Sequence, residues 1–378
     1  MLTGLDDLID RLWADRRVIG PTVRDGAIVL GEVRRAADLP RGWGVDAAPG
    51  RYRLRRRQDQ AAFGNSAGPQ SWKQVLHPPR RLLFAADRVD ADVTIIEPAA
   101  DPERLALFGV RPCDLRAIAV QRRVFGEGSD FVRRLDDAFV VAVNCTEPAE
   151  VCFCVSAGGG PRAGEGYDLV LTELTEAGDV RYLAEAATDA GESVLADVVT
   201  APADPGEIRH ADERITSARD RMGRSLPATD LPAVLGASAE SPHWQDVASR
   251  CLTCGNCTMV CPTCFCTSVV DVTDVTGEHA ERWQEWATCF DLDYSELHGG
   301  QVRTSSAARY RQWLTHKFGT WHAQFGESGC VGCGRCVAWC PVGIDVTAEL
   351  TALAATSDLD SATGSAPAAA AVVGQGQR

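Results

Sequence analysis

The sequence has no apolar run approaching the roughly 20 residues that a helix needs to cross a bilayer, although 45% of its 378 residues are hydrophobic. That excludes a helical membrane span and leaves the composition of an ordinary globular protein. The opening residues, Met1-Leu-Thr-Gly-Leu-Asp-Asp7, lack the basic stretch and apolar segment of a secretory signal. A soluble, cytoplasmic protein is expected. The seven histidines form neither an H-x3-H nor an H-E-x-x-H set, which removes the common helix-borne zinc sites. Positive charge is in short supply: a net charge of −14 argues against nucleic acid as a partner. A nucleotide fingerprint is also missing. Gly158-Gly-Gly-Pro-Arg-Ala-Gly-Glu-Gly166 is rich in glycine but does not lead from a strand into a helix, so it reads as a loop rather than a phosphate cradle. No flavin or nicotinamide site is expected on this chain.

Cysteine is plentiful, with 15 residues. Without a secretory signal, so many thiols point to a reducing compartment and not to disulfides. Eight of them fall into two copies of one pattern. Cys251-Leu-Thr-Cys254-Gly-Asn-Cys257-Thr-Met-Val-Cys261-Pro262 returns as Cys330-Val-Gly-Cys333-Gly-Arg-Cys336-Val-Ala-Trp-Cys340-Pro341. C-x2-C-x2-C-x3-C-P is the arrangement that holds 4Fe–4S cubanes in bacterial-type ferredoxins, and its fourth cysteine ligates the other cluster. Three cysteines at i, i+3 and i+6 wrap a tight loop around one cubane. The fourth opens the next helix and points away. Cys251, Cys254, Cys257 and Cys340 are therefore expected to hold one cluster, and Cys330, Cys333, Cys336 and Cys261 the other. Structural zinc pairs two C-x2-C units and does not use a run of four closed by proline.

Seven cysteines remain. Cys113 and Cys145 fall at the ends of expected strands, where sites form in parallel sheets, and Cys152 and Cys154 fall in the loop that follows Cys145. They read either as ligands of a third iron–sulfur cluster or as buried free thiols, which pack like small apolar groups. Cys264, Cys266 and Cys289 read either as spare thiols beside the clusters or as ligands to an extra one.

The expected fold class is α+β multidomain: an N-terminal α/β domain plus a mainly helical two-cluster ferredoxin domain. Residues 1–80 form a mixed segment, with Leu5, Leu8, Ile9 and Leu12 at helical spacing and short strands after it. Its basic stretch Arg51–Arg57 reads as a solvated strand or as a face for an acidic partner or a phosphate. Residues 81–225 alternate strand and helix. Leu105–Val110, Ala138–Val143 and Tyr167–Thr172 are expected strands, Arg111–Asp114 a loop, Leu115–Phe125 a helix, and Asp114 its N-cap. Residues 186–209, rich in Ala, Asp, Gly and Pro, read as a linker or edge loop. A second linker is expected over 226–242, where prolines cluster, then the ferredoxin-like domain over 243–352 and a disordered tail over 353–378. Trp283, Trp286, Trp313 and Trp321 lie between the two cysteine motifs and are expected to pack a small helical core.

Gly109-Val-Arg-Pro-Cys-Asp-Leu-Arg-Ala-Ile118, Val143-Asn-Cys-Thr-Glu-Pro-Ala-Glu-Val-Cys-Phe-Cys154 and Cys254-Gly-Asn-Cys-Thr-Met-Val-Cys-Pro-Thr-Cys-Phe-Cys266 carry a family resemblance. Over roughly residues 75–350 the chain resembles the β, iron–sulfur subunit of cytoplasmic NAD(P)-linked nickel–iron hydrogenases (sulfhydrogenases). The electron-transfer subunit of anaerobic sulfite reductase is a close relative of that group. The resemblance implies a hetero-oligomer in which this chain makes and breaks no bonds of substrate. It implies a relay of electrons between a flavin/NAD(P)-binding subunit and the hydrogenase small and large subunits. In the alternative branch the recipient is a siroheme subunit.

Overall fold

The computed structural model describes residues 1, 4–98, 103–176 and 178–362. Within them the chain is mixed α and β. A helix over Asp6–Trp13 precedes a hairpin of β1 (Arg17–Arg24) and β2 (Ala27–Glu32), and a second hairpin of β3 (Trp43–Ala48) and β4 (Arg51–Arg56) follows. After β5 (Arg80–Val89) and β6 (Asp92–Ile96) come β7 (Leu105–Val110), β8 (Phe139–Val143), β9 (Leu169–Glu176) and β10 (Asp179–Ala186). The main sheet has the order β10-β9-β8-β7-β1-β2. Its inner strands β9, β8, β7 and β1 run parallel, and β10 and β2 close the edges antiparallel.

Phe-Val-Val-Ala-Val in β8 is apolar throughout because both faces of the strand are covered. Phe139, Val141 and Val143 pack with Leu8, Ile9 and Leu12 of the first helix. Val140 and Ala142 face the other way, toward Leu115 and Ile118 of the helix Pro112–Phe125. That helix begins at Pro112, a favoured first position because proline has no N–H to leave unpaired. Arg111 is its N-cap. Cys113 and Asp114 therefore lie in the first helical turn, and the expected loop at 111–114 and the N-cap role of Asp114 are corrected.

The two cysteine motifs share one apolar core with the N-terminal half. Phe290, Tyr310, Trp313, Leu314, Phe318 and Leu350 pack with Val151 and Phe153. The segment between the motifs is not mainly helical. β11 (Thr267–Thr273) and β12 (His279–Trp286) form a hairpin, and β12 pairs with β5 to give an antiparallel sheet of order β11-β12-β5-β6. Thr267-Ser-Val-Val-Asp-Val-Thr273 is rich in β-branched residues, which fit a pleated surface and resist a helix. Trp283 and Trp286 thus lie on a strand. Their rings stack under Arg80 at 4.1 Å and Lys73 at 3.8 Å. Trp313 and Trp321 are on helical segments, buried as expected.

Neither stretch read as a linker is without structure. Over 186–209 lie a helix Asp189–Ala196 and the start of the helix Pro205–Asp220. Thr188 caps the first, and Asp204 with Glu207 forms a capping box on the second, a reciprocal pairing that satisfies two orphan N–H groups. Over 226–242, the helix Leu231–Ala237 is capped by Asp230 and buries Leu231, Val234 and Leu235. Pro232 sits in its first turn, where proline is tolerated. The last helix, Val346–Ala362, runs past residue 353, where the tail was expected to begin. The rest of that tail, 363–378, lies outside the described residues.

Candidate iron–sulfur centres

Each C-x2-C-x2-C motif turns through glycines into a short helix, Asn256–Met259 in the first copy and Arg335–Ala338 in the second. Gly255 and Gly334 open those helices at φ of 69° and 73°, a region open to glycine at no steric cost. At Gly334 a Cβ would come 2.3 Å from the Val151 carbonyl oxygen. The second motif is thus seated against the segment that carries Cys152 and Cys154, and only glycine fits there.

The sulfurs gather in two neighbouring cavities. One, of about 460 Å3, is lined by Cys251, Cys254, Cys257 and Cys340, under Phe290 and Tyr310. The other, of about 360 Å3, is lined by Cys330, Cys333, Cys336 and Cys261, under Phe153 and Phe318. Each cavity thus collects three cysteines of one motif and the last cysteine of the other. Cys336, Trp313 and Val346 lie on the walls of both. Backbone N–H groups donate to the sulfurs: Thr253 to Cys251 at 3.3 Å, Gly332 to Cys330 at 3.4 Å and Ile344 to Cys340 at 3.3 Å. Among the described residues no three cysteine sulfurs lie within 4.8 Å of one another. A tetrahedral zinc with Zn–S of about 2.3 Å would bring its sulfurs to about 3.8 Å. The sulfurs are therefore not gathered closely enough for a single zinc ion.

Cys113, Cys145, Cys152 and Cys154 also share one cavity, of about 860 Å3, and Cys333 is on its wall. Cys113 follows the C-terminal end of β7 and Cys145 that of β8, the edge of a parallel sheet where sites form. Asn144 fixes the Cys145 turn, with its amide nitrogen on Thr172 at 2.8 Å and its oxygen accepting from the Ala163 N–H at 2.7 Å. Burial pushes the Cys152 and Cys154 thiols up to about 12. Thiols held that high are inert until a bound cation takes the place of the proton.

Cys264, Cys266 and Cys289 face Tyr294. Beside them stand residues that the pattern of cysteines did not flag. Of the 38 basic residues only Lys73 and Lys317 are lysines, and both are 5% exposed. Lys317 Nζ donates to Thr263 Oγ1 at 3.0 Å, and its charge faces Cys261, Cys264 and Cys330. Lys73 faces Cys264, Cys261 and Cys266. Among the described residues neither lysine pairs with a carboxylate. A buried ammonium without a carboxylate requires negative charge from elsewhere: Lys317 faces cysteine sulfurs, while Lys73, its pKa lowered by burial, also lies on the Trp286 ring. The scarcity of lysine in an arginine-rich chain was the available signal.

The basic stretch Arg51–Arg57 is engaged within the chain: Arg51 pairs with Asp46 and Arg57 with Asp59, each at 2.7 Å, and Arg56 covers Trp43. The glycine-rich loop 158–166 lines an open cleft. Arg116, Arg122 and Arg162 there are already paired, with Glu327, Asp136 and Asp212, which does not favour a phosphate cradle.

Two adjoining cysteine-lined cavities on a ferredoxin motif define a class, and a family profile agrees: a 4Fe-4S dicluster domain matches residues 250–344. The likeness extends well beyond that domain. Over 282 residues the chain is 32% identical to sulfhydrogenase 2 subunit beta of Pyrococcus furiosus, covering 72% of this chain and 79% of that one. The chain belongs to the family of sulfhydrogenase β subunits. No solved structure matches it.

Proposed function

We propose that this chain is the electron-relay subunit of a soluble NAD(P)-linked nickel–iron hydrogenase. Cys251, Cys254, Cys257 and Cys340 hold one 4Fe–4S cluster, and Cys330, Cys333, Cys336 and Cys261 hold the other. The observation that carries this is the exchange of the fourth cysteine between two adjoining cavities. A bound 4Fe–4S cluster supplies one-electron redox capacity. The protein keeps the thiolates out of water, aims N–H donors at sulfur, and fixes the separation of the two sites through shared walls at Cys336 and Trp313. The first site is the one nearest solvent: Cys254 is exposed, as is Leu252 at 63%. Exchange with a partner subunit is assigned to that edge. The partners are a flavin/NAD(P)-binding subunit and the hydrogenase small and large subunits, in the cytoplasm. The Pyrococcus relative is a hydrogenase subunit by name, which favours this reading over the sulfite reductase alternative.

Anaerobic affinity capture of the tagged chain from its own cells should bring down hydrogenase large and small subunits together with a flavoprotein. Repeated capture of a siroheme protein instead would overturn the assignment.

The buried lysines yield a second test. Removing a positive charge near a cluster disfavours its reduced, more negative state. Lys317→Met should lower the midpoint potential of the second cluster by on the order of 100 mV, the equivalent of one charge at about 7 Å in a medium of effective dielectric about 20. A potentiometric titration followed by paramagnetic resonance reads this directly. An unmoved potential would mean that the ammonium does not act on that cluster.

A further inference from the structure

The cavity behind the second cysteine motif has features that the two-cluster relay leaves unused. Cys113, Cys145, Cys152 and Cys154 come from three separate segments and line one space. It is larger than the two cavities already described. Free thiols that merely fill a core have no reason to face a common void, because interiors pack to crystal-like density.

A second observation concerns charge. Arg111 and Arg335 are on the wall of this cavity and are 9% and 7% exposed. Arg111 donates one Nη to the carbonyl oxygens of Phe63 and Asn65, yet its other Nη has no hydrogen-bond partner. Among the described residues it forms no ion pair, although its charge acts on the buried Glu173 carboxylate. Arg335 is held by Asp114, also on the wall, through both Nη atoms at 2.9 Å, but its Nε is unpartnered. A buried guanidinium N–H without an acceptor is costly. Two of them on one wall point to an occupant that accepts hydrogen bonds there, as the sulfur atoms of a cluster do. The helix Pro112–Phe125 adds its N-terminal end, with Cys113 in the first turn, where the helix dipole favours negative charge.

A third observation concerns connection. Cys333 lines both this cavity and that of the second motif, just as Cys336 lines both the first and the second. The contact is tight: a Cβ on Gly332 would meet the backbone of Phe153 and Cys154 at 2.6 Å, and the Phe153 N–H donates to the Gly332 carbonyl at 2.9 Å. Three cysteine-lined spaces thus stand in a row, each sharing a ligand-bearing wall with the next.

We propose that Cys113, Cys145, Cys152 and Cys154 hold a third iron–sulfur cluster, with Arg111 and Arg335 as its charge-compensating neighbours, forming the inner end of a three-centre relay. This rests on the reading that the chain carries electrons through clusters. Arg111 and Arg335 are positioning residues: they hold an anionic thiolate centre in the sheet edge and tune its potential without ligating it.

The test is an iron and acid-labile sulfide count on the anaerobically purified full chain, paired with paramagnetic resonance of the reduced protein. About twelve iron atoms per chain are expected, three cubanes of four. A count of about eight, with two interacting signals, overturns the third site and leaves the two-cluster reading standing; an absence of iron sinks both. Cys145→Ala and Cys152→Ala should each remove about four iron atoms and the same spectral component. Full retention of iron in both overturns the ligand set. Arg111→Gln keeps all four thiols. It should leave the iron count unchanged and move the midpoint of one cluster to lower potential while the other two stay in place. Three unmoved potentials would overturn the role of Arg111 at the site.

Discussion

Replacing Cys257 by alanine should strip about four iron and four sulfide atoms from the chain, and should loosen far more than one loop. Cys257 is the third cysteine of its motif, lies on the wall of the first cavity and packs against the core that holds Phe290, Tyr310 and Trp313. The chain around it has little secondary structure of its own: the helix Asn256–Met259 has four residues, too few to stand without outside support. Binding free energy at such a centre is folding free energy. The apolar residues under it, Tyr310 and Trp313 at 2% and 4% exposure, would lose their lid. The second cluster shares Cys336, Trp313 and Val346 with the first cavity, so its signal should broaden or shift even where its own four ligands are intact. Iron analysis, paramagnetic resonance and limited proteolysis together check this. Wild-type iron content in the variant would show that Cys257 is no ligand, and the pairing by exchanged fourth cysteines would fall with it.

Sequence spacing made the centre legible and left its surroundings dark. Cysteine spacing is a local property of the chain, and the loop that wraps a cubane is set by i, i+3, i+6 and the glycine after the second cysteine, Gly255 or Gly334. The apolar runs of β7 and β8 were equally plain, because a strand covered on both faces has no polar positions to blur it. The hairpin β11–β12 was hidden by context. β11 is exposed along nearly its whole length, with Val269 and Val272 at 56% and 42%, and β5, the strand that β12 pairs with, is almost 200 residues earlier in the chain. The helix Leu231–Ala237 was masked by Pro232, which marks a boundary when read alone but suits a first helical turn once Asp230 is seen as a cap. The lysines at 73 and 317 were visible as composition, but composition does not place a side chain; burial beside the same sulfurs depends on tertiary structure.

Asp114 offers the other large effect, in a place where sequence suggested only a helix cap. Its carboxylate, 2% exposed, accepts both Nη atoms of Arg335 at 2.9 Å and so ties the first turn of the helix Pro112–Phe125 to the second cysteine motif. Bidentate geometry makes this a strong pair, and removing one partner of a buried pair costs about 3–5 kcal/mol because the other charge is left unpaired. Asp114→Ala should therefore lower the stability of the loaded protein by that amount, read as an earlier unfolding midpoint under anaerobic conditions. A loss below about 0.5 kcal/mol, the range of ordinary surface changes, would show that the pair is not closed in solution. The potential gives the argument a sign. Arg335 also faces Cys333 and Cys113. Taking away Asp114 frees a positive charge beside the second cluster and should raise its midpoint; Arg335→Met leaves the carboxylate behind and should lower it. Both variants destabilise, so a purely structural loss would move the two potentials in the same direction or in neither. Opposite shifts, on the order of 50–100 mV each, would identify this ion pair as a charge set against the relay as well as a clamp between the sheet and the clusters.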